Sequence, residues 1–485
     1  MLNSVDFSGR PFHFIGIGGI GMSALAHVLA SKGLRVSGSD LKLSHITKRL
    51  EEKGAHIFNQ QQAENLAFFT GQGNPDASGG RSQLLPQVVC STAIGKSNPE
   101  YKEAVDIGCP IFHRSDILAG LMNEHKGIAI AGTHGKTTTS SITGYLLLKC
   151  GVDPTIIIGG EVAAWNGNAY VGKSDYVVAE ADESDGSLVK LSPYIGVITN
   201  IEMDHPDHYS SLDEIVAIFD RFVKQSEIVV GCLDCPTVRD RITCDVSYSL
   251  REDSGADYIA SNVREDASGT IATIWERGEK LGDITIPLLG AHNLANALAA
   301  IATARLLNVS FGDLALHMPN FGGAKRRFEH RGFVNDILFV DDYAHHPSEI
   351  KATLEAAQVQ RRGQLESGRA RQVVAVFQPH RYSRASTLLQ DFAEAFGGAD
   401  RILVTDIYSA GETNESGITA EAVAQAIRKN QPQTDYCGDL AATKEALIQT
   451  LVPGDIVVFL TAGNLNQMIP DVIAAYAPQP EVALT

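Results

Sequence analysis

The chain has 485 residues, which is enough for about three domains of ordinary size. Apolar residues make up 44% of it and charged residues 20%, as in globular proteins, and glycine-rich loops between apolar runs favour the α/β class. The formal net charge of -17 argues against nucleic acid or an anionic membrane as the main partner, because both bind basic surfaces.

The cysteine pattern and the hydropathy of the chain favour the cytoplasm as its cellular compartment. Seven scattered cysteines predict no disulfide framework, and their odd number fits a reducing cytoplasm. Cys232 and Cys235 form the only close pair, and without a second pair they do not predict a zinc site. The apolar stretch 12–30 contains four glycines and follows no basic run, so it is not typical of a signal peptide. No window has the uninterrupted apolar length of a membrane helix.

The first motif is a glycine-rich turn between a strand and a helix. The strand at 12–15 runs into Gly16–Gly21, which has the G-x-G-x-x-G spacing, and a helix is expected at 22–31. A second strand at 35–39 ends at Asp40, about where a dinucleotide fold places a ribose-binding acid. This pattern favours an NAD-type dehydrogenase or a fold that grips another nucleotide's diphosphate, and a purely structural turn is the third interpretation.

The rest of the first predicted domain, 1–123, is less informative. Segment 71–87 has the composition of a flexible surface insertion and receives no chemical role. A strand is expected at 88–94, and its end offers the hydroxyls of Ser91 and Thr92 to a ligand. Pro110–Arg114 closes the domain, and the boundary falls in the polar stretch 123–126.

A phosphate-binding loop opens the second predicted domain, 124–323. A buried strand at 127–130 leads into Gly132-Thr133-His134-Gly135-Lys136-Thr137-Thr138-Thr139, and a helix is expected from Ser140. The two glycines let backbone N–H groups approach an anion, Lys136 suits the outer phosphates, and Thr137 or Thr138 offers a hydroxyl to magnesium. Ile130 stands where the usual motif has a glycine, so a chance Gly-Lys turn is the alternative.

Two further strand ends in this domain carry acids and imidazoles. Glu180–Asp185 follows a strand at 175–179, and His205 follows a strand at 195–200. Open α/β sheets bind ligands at such ends, so Thr137, Glu180 and His205 are expected to form a magnesium shell. A solvated acidic turn and a helix-capping histidine are the alternatives.

The end of the second domain contains a predicted antiparallel β element at 240–288 and a helix start with two amides. Asn293 and Asn296 suit the hydrogen-bonding edge of adenine, with ordinary helix capping as the rival interpretation. In the basic linker 321–329, cations such as Arg327 either reach nucleotide phosphates or remain solvated.

The third predicted domain, 324–485, repeats the doubly wound pattern. Strands are expected at 337–340, 373–377, 401–405 and 455–460, with helices between them. The first strand ends in acids and histidines around Asp342 and His345, and the second in Gln378–Arg384. The polar strand ends indicate a domain that closes over the nucleotide.

Six motifs occur together and in one order along the chain, and in this combination the chain resembles the Mur ligase family of peptidoglycan synthesis. They are Gly16–Gly21 followed by Met22–Ala26, Gly132–Thr139, Glu180–Asp185, His292–Asn293, Asp341–Pro347 and Gln378–Arg384. The resemblance implies a Rossmann-like first domain, a central ATPase-type domain with a small β element, and a Rossmann-like third domain. It also implies that the first domain grips a UDP-sugar diphosphate and not NAD.

The resemblance further implies the chemistry. ATP would phosphorylate the lactyl carboxylate of UDP-N-acetylmuramate, and the amine of L-alanine would attack the acyl phosphate, with Mg2+ as cofactor. No protein nucleophile is needed, so the site supplies cations and positioning. The implied partners are these small molecules, with no nucleic acid and no membrane, in a cytoplasmic monomer or homodimer.

The resemblance assigns residues to four groups. The catalytic set is Lys136, His205, Arg381 and Arg384. The UDP-sugar set is Gly18, Gly19, Ile20, Gly21, Ser39, Asp40, Ser91, Thr92 and Arg114. The ATP set is Gly132, Thr133, His134, Gly135, Lys136, Thr137, Thr138, Asn293, Asn296, Arg327 and Asp342. The metal set is Thr137, Glu180 and His205, and the amino-acid set is Tyr343, His345 and His346, with Asp342 as a further candidate there.

Three alternatives stay open beside this assignment. Related ligases carry a carbamoylated lysine, for which Lys190 is a candidate by position alone. A recycling ligase that attaches a whole tripeptide to the same nucleotide sugar is the nearest enzymatic rival. A nucleotide-gated binding protein without turnover is the non-enzymatic one.

Overall fold

The computed structural model describes residues 4–69, 85–363 and 372–477, so most of the predicted insertion at 71–87 lies outside the described residues. The fold is mixed α/β with three sheet-containing domains, as the sequence predicts. The chain divides into two compact units. Unit 1 comprises Met1–Ile201, Ile215–Tyr248 and Ala299–His317, and unit 2 comprises Glu202–Glu214, Ser249–Leu298 and Met318–Thr485.

The first sheet lies in unit 1 and is entirely parallel, in the order β3-β2-β1-β4-β5. Its strands are β1 Phe12–Ile15, β2 Val36–Ser39, β3 His56–Phe58, β4 Gln87–Cys90 and β5 Ile111–His113. The connecting helices are α1 Ile20–Ser31, α2 His45–Glu52, α3 Pro99–Asp106 and α4 Arg114–Asn123. This is the crossover arrangement that brings the ends of β1 and β2 together at the glycine turn.

The part of the second sheet that lies in unit 1 has the strand order β12-β11-β10-β6-β9-β7-β8. Its strands are β6 Lys126–Ala131, β7 Thr155–Val162, β8 Gly167–Tyr170, β9 Tyr176–Glu180, β10 Ile195–Ile198, β11 Ile228–Cys232 and β12 Val246–Ser249. The helices that lie wholly in unit 1 here are α5 Lys136–Lys149, α7 Pro236–Arg241 and α9 Phe311–His317. Two further helices, α6 Leu212–Gln225 and α8 Ala291–Leu306, begin in segments assigned to unit 2 and end in segments assigned to unit 1. β6 is a central strand that pairs with β10 and β9, so the loop after β6 lies at the carboxyl end of the sheet, between the ends of these two neighbours.

Unit 2 contains an antiparallel ladder and a mainly parallel sheet. The ladder is β13 Tyr258–Asp266, β14 Gly269–Glu276 and β15 Glu279–Ile286. The sheet has the order β16-β17-β21-β18-β19-β20. Its strands are β16 Glu329–Val334, β17 Ile337–Asp342, β18 Val373–Phe377, β19 Arg401–Thr405, β20 Thr434–Gly438 and β21 Ile456–Leu460. The helices are α10 Pro347–Gly363, α11 Tyr382–Thr387, α12 Leu389–Glu394, α13 Ala420–Arg428, α14 Leu440–Thr450 and α15 Ile469–Tyr476.

The sheet of unit 2 is buried on both faces. Along β17, Leu338 and Val340 belong to one apolar core, whereas Ile337 and Phe339 belong to another. Successive side chains of a strand point to opposite faces, so this division requires helices on both sides. The doubly wound arrangement predicted for the third domain is therefore confirmed.

Several predicted boundaries are wrong by a few residues. The strand expected at 88–94 ends at Cys90, and α5 begins at Lys136 and not at Ser140. A left-handed glycine, Gly135 with φ 82°, starts α5, so Lys136 to Thr139 form the first helical turn. Strands β3, β7, β8 and β11 in unit 1 and strands β16 and β20 in unit 2 were not predicted. β16 begins inside the predicted basic linker, where it pairs antiparallel with β17.

Candidate functional site

The phosphate loop is built by β6, by α5 and by the residues after β10. A Cβ on Gly132, whose φ is +139°, would lie 2.0 Å from Thr199 Oγ1, so only glycine fits there. Thr199 Oγ1 donates to the carbonyl of His134 at 2.6 Å. Asn200 accepts from the N–H of His134 at 2.8 Å through its side chain and from the N–H of Thr133 at 3.0 Å through its carbonyl. The loop is thus fixed by its own unit.

The first turn of α5 has the features of an anion site. Among the described residues no side chain caps this helix, and its first turn contains no acid. Backbone N–H groups at a helix start carry a partial positive charge, which phosphate compensates well. The predicted loop residues Gly132, Thr133, His134, Gly135, Lys136, Thr137 and Thr138 are therefore brought together around one helix N-terminus.

Lys136 is held by a carboxylate that the sequence did not single out. Its Nζ donates to both oxygens of Glu183, at 2.9 and 2.8 Å, and to the carbonyls of Gly132 and Thr133 at 2.6 and 3.1 Å. Burial alone would lower the pKa of Lys136, but Glu183, with Asp182 and Glu180, outweighs burial and raises it. Lys136 therefore stays cationic at neutral pH.

Two of the three predicted metal ligands lie together in unit 1. Thr137 Oγ1 donates to Glu180 Oε2 at 3.2 Å, and Ser140 Oγ donates to Glu180 Oε1 at 3.3 Å. The N–H of Gly159 donates to the same carboxylate at 2.6 Å. A hydroxyl beside a carboxylate is an oxygen donor set that suits Mg2+. His205, the third predicted ligand, belongs to unit 2.

His205 follows a buried carboxylate that is bound by Arg384. The φ of His205 is 55°, and its N–H donates to Asp204 Oδ1 at 2.7 Å. Arg384 contacts Asp204 Oδ1 through Nε at 3.0 Å and through Nη2 at 2.9 Å. Burial would raise the pKa of Asp204, but Arg384 and neighbouring histidines outweigh burial and lower it. Asp204 is a site residue that the sequence reasoning missed.

Two partly buried imidazoles lie next to this ion pair. The rings of His345 and His380 meet edge to face at 5.8 Å, and His380 Nδ1 is 3.2 Å from Arg384 Nη1. Burial is the main cause that lowers the pKa of His345 to about 4 and that of His380 to about 3. His346 Nε2 lies 3.2 Å from the carbonyl of Met203. Unit 2 thus brings His345, His346 and Arg384 together, with both rings of the pair neutral at pH 7.

Arg381 is turned toward a different acid. Its Nη1 donates to Glu412 at 2.9 Å and to Asp207 at 3.3 Å, and its φ of 70° is in the left-handed region. Glu412 also accepts from Ser383 N at 3.1 Å and from Ser383 Oγ at 2.8 Å, so it anchors the start of α11. Arg381 and Arg384 are close in sequence, yet they bind different carboxylates.

Asp342 closes a turn at the end of β17. Its carboxylate accepts from the N–H of Phe328 at 2.6 Å and of Ala344 at 2.8 Å. Burial raises its pKa to about 6, against the opposing effect of Arg327. The guanidinium of Arg327 lies 5.3 Å from the ring centre of Tyr343, whose carbonyl is 2.9 Å from His345 Nδ1. A nucleotide contact for Asp342 and Arg327 stays a prediction.

The two asparagines predicted to bind adenine are buried and bonded locally. Asn293 Nδ2 donates to the carbonyl of Leu289 at 2.8 Å, and Asn296 Nδ2 donates to Asn293 Oδ1 at 3.4 Å. In both bonds the amide N–H donates, so they are local side-chain bonds within α8 and not the N-capping bonds of the rival interpretation, in which a side-chain oxygen accepts from a backbone N–H. Contact with the base stays a prediction.

In the first sheet, Ser39 and Asp40 hold the glycine turn. The carbonyl of Ser39 accepts from Gly16 N at 2.8 Å and from Ile17 N at 2.9 Å. Asp40 Oδ2 accepts from Gly18 N at 2.9 Å, and Oδ1 accepts from Lys42 N at 2.9 Å. Asp40 therefore stabilises the glycine turn through its hydrogen bond to Gly18 N, whereas the dinucleotide analogy expects an acid at this position to bind ribose.

Helix α1 begins with a second anion-binding arrangement. Gly19 is its N-cap, its first turn (Ile20, Gly21, Met22) carries no acid, and no described side chain caps it. A Cβ placed on Gly21 would lie 3.7 Å from Arg114 Nη1, so a cation stands beside this turn. Ser91 and Thr92 follow β4 in a turn in which Ile94 N donates to Ser91 O at 3.1 Å.

Arg114 also contacts the acidic segment after β9. Its Nη2 donates to Asp182 at 2.6 Å and is 3.7 Å from Asp185. Burial would raise the pKa of Asp182, but Arg114 and Lys136 outweigh burial and lower it. Lys190, the candidate for carbamoylation, donates to Asp116 at 2.6 Å. The segment Asp182–Asp185 thus contacts a cation from each of two sites.

No helix in the described part of the chain combines the length and apolar character needed to cross a membrane.

Comparisons with known proteins agree with this architecture. Three family models match: "Mur ligase family, catalytic domain" over 11–126, "Mur ligase middle domain" over 130–304, and "Mur ligase, glutamate ligase domain" over 326–463. The chain is 57% identical to the UDP-N-acetylmuramate--L-alanine ligase of Nostoc punctiforme over 483 residues, 98% of each chain.

Solved structures give the same picture. The crystal structure of the UDP-N-acetylmuramate-alanine ligase MurC from Thermotoga maritima matches with a TM-score of 0.78 at 26% identity, covering 96% of this chain and 99% of that one. A murein peptide ligase from Psychrobacter arcticus shares the fold, with a TM-score of 0.68 at 23% identity over 98% and 100% of the two chains. The chain belongs to the Mur ligase family.

Proposed function

We propose that this chain is an ATP-dependent ligase that joins L-alanine to the lactyl carboxylate of UDP-N-acetylmuramate. The observation that carries the proposal is the pair of helix N-termini in unit 1, α1 and α5, each preceded by a glycine turn and accompanied by a cation. Two such sites suit two phosphate-bearing substrates, a nucleotide sugar and ATP. The relative from Nostoc punctiforme bears the name of this activity and matches over nearly the full length.

The proposed division of labour follows three domains. Residues 1–123 would bind the UDP-sugar, 124–323 would bind ATP, and 324–485 would bind the amino acid. The three matching family models fall within similar limits, which supports these boundaries. A dehydrogenase is disfavoured, because Asp40 binds the glycine turn and the reaction would leave the Lys136 loop unused.

The first step is phosphoryl transfer. A lactyl carboxylate oxygen attacks the γ-phosphorus of ATP, the bond to the β,γ-bridging oxygen breaks, and ADP leaves. Lys136 and the N–H groups of the first turn of α5 would hold the phosphates and stabilise the negative charge. Thr137 and Glu180 would hold Mg2+, and a role for His205 as a metal ligand stays a prediction of the family resemblance. That ion would neutralise charge on the transferring phosphoryl group.

The second step forms the amide. The amine nitrogen of L-alanine attacks the acyl carbon, phosphate leaves, and the nitrogen loses a proton. We assign Arg384 and Arg381 to the developing negative charge, and Tyr343, His345 and His346 to the amino acid. Burial keeps His345 neutral, so its imidazole is able to accept a hydrogen bond or a proton from the amine.

The decisive assay is phosphate release from ATP in the presence of the nucleotide sugar, with and without each acceptor. We expect release with L-alanine and little with the tripeptide L-Ala-γ-D-Glu-diaminopimelate. A preference for the tripeptide would instead identify a recycling ligase. Absence of turnover with either, despite nucleotide binding, would support a binding protein. The substrates and the cysteine usage support a cytoplasmic location, which cell fractionation tests.

A further inference from the structure

We infer that Glu100 is a positioning residue for the nucleotide-sugar substrate, because it fixes, through Ser39, the glycine turn that receives the diphosphate. The inference rests on the function proposed above. Glu100 lies in the first turn of α3, outside every motif that the sequence reasoning used.

Glu100 is the centre of a polar network inside the first sheet. Its side chain is fully buried, and so is that of His13 on β1. Oε1 accepts from Asn65 Nδ2 at 2.6 Å and lies 3.2 Å from His13 Nε2, and Oε2 accepts from Ser39 Oγ at 2.5 Å. The other ring nitrogen of His13 lies 2.8 Å from Ser37 Oγ.

A buried carboxylate is costly unless several donors satisfy it. Here the donors come from three elements: β1, β2 and the short 3-10 helix Ala63–Phe69. Hydrogen bonds to a charged group are roughly twice as strong as those between neutral groups. Glu100 therefore fixes the position of Ser39 more firmly than a neutral partner would.

Ser39 transmits this constraint to the substrate pocket. Its carbonyl accepts from Gly16 N and Ile17 N, and the next residue, Asp40, accepts from Gly18 N. Three successive N–H groups of the turn before α1 are thus set by two residues at the end of β2. A small shift of Ser39 would move the turn, and misplacing a binding group by about 1 Å is enough to weaken substrate binding strongly.

Steady-state kinetics of Glu100→Gln tests the inference. The amide preserves the shape but removes the charge and one acceptor. We expect the KM for UDP-N-acetylmuramate to rise about tenfold, whereas kcat and the KM for ATP stay within about twofold of the wild type. Ser39→Ala is expected to raise the same KM, and the double variant should show no more than the larger single effect, because both changes cut one connection.

Ser37→Ala is the matched control. It breaks the same buried network at its far end, beyond His13, and does not touch Ser39. We expect a lower melting temperature with an unchanged KM for the nucleotide sugar. Equal increases of KM in Ser37→Ala and Glu100→Gln, or a Glu100→Gln enzyme that loses melting temperature only, would show that the network is merely structural and overturn the inference.

The assay also separates this inference from the proposed function. Wild-type enzyme that releases no phosphate with UDP-N-acetylmuramate and L-alanine refutes the function. Active wild-type enzyme with an unchanged KM in Glu100→Gln refutes only the positioning role. Calorimetric titration of the nucleotide sugar without ATP gives the binding constant directly, and we expect it to weaken by the same factor as the KM rises.

Discussion

The phosphate loop contains a largely buried ion pair between Lys136 and Glu183. Glu183 is only 2% exposed, and both of its oxygens contact the lysine. A triphosphate that binds this loop must either share the ammonium group of Lys136 with the Glu183 carboxylate or displace that carboxylate from it. The lysine side chain also touches two loop carbonyls, so it supports the loop as well as the ligand.

Lys136→Ala is expected to reduce ADP formation by about a thousandfold, because the transferring phosphoryl group loses its main side-chain cation. Binding of the nucleotide sugar should survive, since α1 and its glycine turn lie elsewhere in the unit. Coupled ADP release and calorimetry with UDP-N-acetylmuramate measure the two effects. Lys149→Ala, an exposed lysine near the end of the same helix, is the control and should change neither. Simultaneous loss of both ligands would contradict the assignment.

A second residue-scale prediction concerns acid stability. The pKa of His380 is lowered to about 3 in the folded protein, so between that value and about 6.5 the unfolded chain binds the extra proton. Stability should therefore rise with pH through this window and level off above it. His380→Gln should remove up to one proton from the slope, about 1.4 kcal/mol per pH unit at most.

Urea unfolding of the full chain at several pH values measures this slope. The unsubstituted chain, unfolded in the same buffers, supplies the control slope. His292 and His345 also have pKa values lowered to about 4, so the slope persists in part in the variant. If the slope is the same in His380→Gln as in the unsubstituted chain, proton uptake by His380 on unfolding does not contribute to it, and the prediction is wrong.

Part of the site could be predicted residue by residue. Thr137 and Glu180 follow neighbouring parallel strands, whose carboxyl ends share one sheet edge, and they lie together as expected. Glu183 could not be chosen from the four acids of Glu180–Asp185, because only the backbone path after β9 decides which one faces Lys136. Asp204 was missed since its partner, Arg384, is 180 residues away in sequence.

At the scale of elements, the connection between β6 and α5 depends on glycine. The φ of Gly132 is +139°, and a side chain there would overlap Thr199. The middle of the turn, Thr133 and His134, is hydrogen-bonded to Thr199 and Asn200 after β10. The shape of the loop is therefore decided jointly by two neighbouring strands of the sheet.

Gly132→Ala is expected to abolish ATP binding and to lower stability by about 2 kcal/mol or more, through both backbone strain and steric overlap. Gly151→Ala is the matched control. Its φ is also positive, at +83°, but a Cβ there would meet no atom within 4 Å. It should cost about 1 kcal/mol and leave the KM for ATP unchanged. Equal loss of ATP binding in both variants would mean that strain alone is responsible.

Four of the strands that the sequence predicted share one property. β1, β6, β18 and β21 are continuous apolar runs, and all are buried central strands. Among the strands of unit 2, β16 and β20 were missed because they lie at the two edges of their sheet, where polar and apolar residues mix. The start of α5 was misplaced because threonine, a weak helix former, fills its first turn.

At the scale of the whole molecule, unit 1 joins the first two sheets by polar contacts at several points. Arg49 on α2 contacts Glu161 on β7 at 2.6 Å, and Asn168 on β8 donates to the carbonyl of Ile20 at 2.5 Å. Arg114 on α4 contacts Asp182 after β9 at 2.6 Å. The order of the domains was predictable from the motifs, but these contacts were not, because each pairs residues far apart in sequence.

Arg114 and Arg49 each form an ion pair between the first two sheets, but only Arg114 lies beside the proposed nucleotide-sugar site. Comparing the two arginines therefore tests that site. Arg114 lies beside the first turn of α1, where the diphosphate is proposed to bind, whereas Arg49 lies on α2. Arg114→Met should raise the KM for UDP-N-acetylmuramate about tenfold, because the site loses a cation. Arg49→Met should lower the melting temperature by a few degrees and leave that KM unchanged, since a partly exposed ion pair contributes only about 1 kcal/mol.

The variant Asp182→Asn separates the two proposed roles of Arg114. It removes the ion pair with the second sheet but keeps the guanidinium beside α1, so the KM for UDP-N-acetylmuramate should stay unchanged or fall. If Asp182→Asn raises the KM as much as Arg114→Met does, the arginine acts by joining the sheets and not by binding the substrate.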